Sequence, residues 1–125
     1  MYRKSKNIGD FKELKEPMQM KRVKKVARDA GVDLKGVKVK IDRSSDLLGR
    51  NLYGHAKGNK ITLYPDAFQD TETLVKTLGH ERIHIFQEKL FGSPTNSKML
   101  NIFEAGAKAS EEGWWAFYKM TTGGL

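Results

Sequence analysis

Val23, Val26, Ala27 and Ala30 recur at i, i+3, i+4 and i+7, an apolar stripe of helical period. Pro17 suits the first turn of such a helix and Gly31 the residue just past its end, so a first helix is expected between them. Residues 1–16 are polar and read as a basic N-terminal arm with at most a short helical turn. Val37-Lys38-Val39-Lys40-Ile41 alternates strictly, as a half-buried strand does. Residues 42–51 read as a loop. Leu52–Ala56 and Lys60–Tyr64 flank the turn signal Lys57-Gly58-Asn59, which predicts a hairpin closed by Pro65.

Asp70 or Thr71 can cap a long helix running to about Phe91, with Gly92 just past its end and Pro94 blocking continuation. Leu74, Val75, Leu78, Ile83, Ile85, Phe86 and Leu90 cover more than half of its circumference, which predicts a central helix. A last helix is expected from about Lys98 to Met120. It contains Gly106 and Gly113, each costing about 1 kcal/mol relative to Ala, so close packing is the expected reason for them. The order α-β-β-β-α-α predicts an α+β domain over residues 17–125, with a small three-stranded sheet, antiparallel or mixed.

The 125 residues suffice for one core and leave no room for a second. There is no Cys, which excludes disulfides, a thiol nucleophile and thiolate metal ligands. No apolar run is long enough to span a membrane and no signal-peptide core follows Met1, so the expectation is a soluble chain, cytoplasmic or delivered as part of a larger polypeptide. Residues 1–60 hold 17 Lys/Arg against 7 Asp/Glu, whereas residues 61–125 hold 6 against 8. A basic half suits an anionic partner, nucleic acid, an anionic membrane surface or an acidic protein, although Lys21, Arg22, Lys24, Lys25 and Arg28 read equally as the solvated face of a helix. No basic stripe interleaved with base-stacking aromatics appears, so nucleic acid is the less favoured partner.

His80-Glu81-Arg82-Ile83-His84 lies inside the central helix. At about 100° per residue, the two imidazoles stand one turn apart and about 40° around, so both can reach one ion. Glu81 is turned away by about 100° and can address a water instead. Two His ligands with an adjacent general base are the zinc-peptidase arrangement, H-E-x-x-H. A third ligand must be a carboxylate or His55. Glu104, separated from His84 by nineteen residues, is the first choice. Glu111, two turns on and on nearly the same face, is its rival, and Glu112 is rotated away. Gln87 shares the face of His80 and is a candidate for bonding a ligand or lining the cleft.

This set, His80-Glu81-x-x-His84 with Glu104, resembles the gluzincin branch of the zincin metallopeptidases, and its spacing is similar to that of thermolysin-like proteins. Lys108 stands where those proteins carry an acidic supporting residue. The wider segment Gly79–Gln87 with Glu104-Ala105-x-Ala107 resembles the short H-E-x-x-H-x-x-Q domains of bacterial and phage-associated polypeptides, including metallopeptidase toxin modules. The resemblance implies a minimal zincin fold, Zn2+ on His80, His84 and Glu104, and Glu81 as catalytic base in peptide-bond hydrolysis. Tyr53, His55, Tyr64 and Tyr118 are the candidates for binding substrate or an oxyanion. Residues 60–64 are the expected edge strand for a peptide or protein substrate. The competing expectation is a non-catalytic binding module whose basic surface docks an anionic partner.

Overall fold

The computed structural model describes residues 7–123, so residues 1–6 of the expected arm lie outside the described residues. Three helices and one sheet make an α+β fold: α1 (Met20–Asp29), β1 (Lys38–Ile41), β2 (Gly54–Lys57), β3 (Lys60–Leu63), α2 (Thr71–Phe91) and α3 (Ser97–Thr121). Among the described residues, no helix is long and apolar enough to cross a membrane.

The sheet is mixed, in the order β1-β3-β2, with β1 parallel and β2 antiparallel to β3. β3 is therefore the central strand, which corrects the expectation that residues 60–64 form an edge. Its Ile61 and Leu63 are both fully buried, whereas neither outer strand buries a side chain completely. The edge beside the long helix is β2, joined to β3 by the two-residue turn Gly58-Asn59. Val23 and Val26 of α1, the two β3 side chains, Phe68, and Leu74, Val75 and Leu78 of α2 form the core between sheet and helices.

Residues 7–16 pack against the body instead of standing off as an arm. The Asn7 amide donates to the Glu16 carbonyl and its oxygen accepts from Met18 N. Glu16 is fully buried and takes both ends of the Arg22 fork, at 3.0 and 2.9 Å, together with the Thr71 hydroxyl at 2.9 Å. That clasp ties the N-terminal segment to the starts of α1 and α2. Breaking one partner of such a buried pair costs about 3–5 kcal/mol, because the other charge is left in a dry site. The clasp also displaces the start of α1. Glu16 N bonds the Phe68 carbonyl, Met18 is held by Asn7 and Gln19 is extended, so the helix begins at Met20 and not at Pro17. Gly31 does close α1, with φ +75 and the Phe117 ring packed over it.

Asp70 caps α2 by accepting from Thr73 N, and Asn96 caps α3 by accepting from Met99 N. The first four turns of α2 are buried, but Phe86, Leu90 and Phe91 are exposed, so the widely apolar helix is central only over its N-terminal part. At Gly79 a side chain of α3 packs against the bare backbone of α2, where an added Cβ would lie 2.1 Å from the Trp114 indole. The two glycines of α3 behave differently from expectation. A Cβ at Gly106 would meet the Gln87 amide at 3.1 Å, while one at Gly113 would meet nothing within 4 Å. Only the first is explained by packing within the chain.

Candidate metal centre

α2 presents His80, Glu81 and His84 to a cleft whose opposite wall is the segment Asn51–Lys57, including β2. The approach to β2 is fixed by buried Asp66, whose carboxylate accepts from Gly49 N at 2.8 Å and Asn51 N at 2.9 Å. α3 closes the third side with Glu104 and Glu111.

Three donors converge. His84 Nε2 lies 3.2 Å from His80 Nε2, and Glu104 brings one oxygen to 2.8 Å from His84 Nε2 and the other to 3.4 Å from His80 Nε2. The protons of both rings are assigned by their far nitrogens. Glu111, an acceptor when ionised, sits 2.8 Å from His80 Nδ1. Gln87 Nε2 donates to the Phe103 carbonyl, which can only accept, so its Oε1 is the atom that accepts from His84 Nδ1–H at 2.9 Å. With Nδ1 of each ring occupied behind, both Nε2 atoms face the space that the Glu104 carboxylate also faces, where neutral imidazoles offer them to a metal. This donor set, two imidazoles and one carboxylate with the imidazoles buttressed behind, fits Zn2+ with a position left for water.

Glu104 and Glu111 are thus separated by geometry: Glu104 faces the Nε2 atoms, and Glu111 holds the back of His80. Lys108, where the resemblance implied an acid, pairs with Glu111 at 3.4 Å, and the supporting carboxylate comes from one turn further along α3. Glu112 turns away to Lys76. Glu81 is buried beside the ligands and makes no hydrogen bond or ion pair with the described residues. Its pKa is pushed up to about 7, chiefly by burial, with His84 opposing and Glu104 and Glu111 adding to the rise. Room for it comes from Gly54, where a Cβ would lie 3.1 Å from Glu81 Cγ and 2.8 Å from Thr77 Cγ2. Sequence reasoning passed over Gly54, although a lone glycine in a strand pattern signals such close approach.

The aromatic candidates divide. Tyr53 and His55 line the cleft, with the Tyr53 hydroxyl 3.3 Å from Asn51 Oδ1. Tyr64 and Tyr118 do not line it, and Tyr118 instead stacks on Trp115 at 5.7 Å.

Glu104→Ala should lower zinc affinity by orders of magnitude. Glu111→Ala, which removes only the support behind His80, should lower it about 10–100-fold. Competition against a chromophoric chelator measures both, and equal losses would contradict the separation of roles. A second expectation concerns the metal-free protein. A carboxyl whose folded pKa is raised from 4.5 to about 7 stabilises the fold below pH 4.5 and loses that contribution as pH rises through 7. Glu81→Gln should therefore melt higher than wild type at pH 8, by an amount that shrinks toward pH 5. A difference independent of pH would contradict the burial of an ionisable Glu81. No protein-family model, curated protein or solved structure matches this chain.

Proposed function

We propose that the chain is a zinc-dependent peptide hydrolase of minimal zincin-like build, with His80, His84 and Glu104 as metal ligands and Glu81 as general base. The observation that carries this reading is the convergence of two imidazole nitrogens and a carboxylate, with a second carboxylate, Glu81, lining the same cleft beside them. Zinc held there supplies a Lewis acid that lowers the pKa of water toward 7 and polarises a carbonyl oxygen. The chain's own residues supply the rest. Glu81 takes the proton from the attacking water and returns it to the leaving amine. Glu111 and Gln87 keep both imidazoles in the ligating tautomer through that exchange. The outer edge of β2, with Tyr53 and His55, is the wall along which an extended peptide can pair by main-chain hydrogen bonds. Tyr53 and His55 are the groups available to a developing oxyanion, since Tyr64 and Tyr118 do not reach the cleft.

Zinc-loaded wild type should cleave members of a mixed peptide library. Glu81→Gln should lose about 10²–10⁴-fold in rate while binding zinc in the same ratio. Cleavage undiminished in Glu81→Gln would remove that residue as the base. A zinc-loaded wild type that cleaves no peptide would overturn the hydrolase reading in favour of a binding module.

A further inference from the structure

The two edges of the sheet have different surroundings. β2 borders the metal centre, and β1 lies across β3 from it. Lys38 N and Asp42 N turn inward, to the carbonyls of Asn59 and Leu63. Strand alternation therefore turns the N–H and C=O groups of Val39 and Ile41 outward, where no described strand pairs with β1. Beside that edge runs a groove of about 860 Å³ between β1 and α1. Ala27, Val32, Leu34, Val37 and Val39 give it an apolar lining. Lys24, Arg28, Lys35 and Lys38 line it too, all exposed. Among the described residues Lys24, Lys35 and Lys38 make no ion pair, and Asp33 is the one acid in the lining, its carboxylate accepting from Lys35 N. Arg28 only approaches Asp29, at 3.8 Å, a carboxylate that Lys25 already holds at 3.0 Å.

We propose that this groove docks an extended acidic segment of another protein, added as a strand on the outer edge of β1. The inference is independent of the hydrolase reading, because β1 and the metal cleft lie on opposite sides of β3. An added strand pairs with the outward main-chain groups of Val39 and Ile41, which gives affinity without demanding particular side chains. Alternation then sorts the side chains of the docked segment. Those on the face of Val37 and Val39 enter the apolar groove, and those on the other face stand beside Lys38. A segment that alternates apolar residues with Asp or Glu meets both demands, and Lys24, Arg28 and Lys35 add to the attraction. A second copy of this edge is the wrong occupant, because Lys38 and Lys40 would meet their own counterparts. Nucleic acid would use the cations and leave the apolar lining and the main-chain groups unmatched.

The probe is a short, end-blocked peptide alternating Val and Glu, titrated into the isotopically labelled full chain and followed by amide NMR. The amides of Val39 and Ile41 should shift, and those of Gly54–Lys57 on the other edge should not. A peptide alternating Val and Lys should leave all of them in place. Lys24→Glu/Lys38→Glu, changed only at exposed positions, should weaken binding of the Val-Glu peptide at least about 10-fold. Val39→Pro removes an outward donor where an edge strand tolerates proline, and should weaken it as well. If that variant does not fold, charge reversal decides alone. Binding indifferent to Lys24→Glu/Lys38→Glu or to a folded Val39→Pro, equal binding of the Val-Lys peptide, or shifts confined to Gly54–Lys57 would each overturn the proposal. So would a short DNA duplex that shifts Val39 and Ile41 while the Val-Glu peptide, at millimolar concentration, does not.

Discussion

The Trp114 indole lies where a side chain at position 79 would stand, and the convergence of His80, His84 and Glu104 depends on that contact. With a bare backbone at Gly79, α3 comes close enough for Glu104 and Glu111 to reach the imidazoles of the next residues on α2. A methyl group at this point would lie 2.1 Å from the ring and would have to push the helices apart. Hydrogen bonds between the charged and polar groups tolerate only tenths of an ångström, so separation at Gly79 would be felt first at Glu104. Gly54 does the same on the opposite wall, giving up a side chain so that Glu81 fits between α2 and β2. Two missing side chains shape the site as much as its ligands do.

The site gathers ionisable groups in little space. Two Nε2 atoms and the Glu104 carboxylate face one another, and the mostly buried Glu81 opens only onto the cleft. Desolvation raises the Glu81 pKa to about 7, which keeps it protonated more often than a surface Glu. The surrounding charges are handled differently. Glu111 is shared between His80 and Lys108, and Glu112 is drawn off by Lys76, so one of the two adjacent carboxylates supports the site and the other stays outside it. The compensating rigidity comes from elsewhere: the Glu16–Arg22–Thr71 clasp fixes the start of α2, and Asp66 fixes the approach to β2.

Much of this was legible in the sequence where the signal is local. Helical period, the Asp70 cap and Gly92 mark out α2, and H-E-x-x-H on it brings His80 and His84 to one side. What escaped was set by contacts distant in sequence. The polar composition of residues 7–16 suggests an arm because nothing local reveals that Glu16 and Arg22 neutralise each other in a dry site. Sheet order depends on contacts distant in sequence, and the pattern at 60–64 looks the same for a central or an edge strand, so nothing local marks β3 as the centre. Glu104 and Glu111, on nearly the same helical face, differ only in which imidazole nitrogen they meet, and that depends on how α3 crosses α2. Lys108 could not reveal that an acid one turn on would replace the one missing there.

X-ray absorption at the zinc edge tests most directly whether these residues form a metal centre. One zinc per chain is expected, with a first shell of nitrogen and oxygen at about 2.0–2.1 Å and outer-shell scattering from two imidazoles. Replacing His84 by Ala should remove one of them. A shell of oxygens with no imidazole scattering, or one unchanged in His84→Ala, would contradict it.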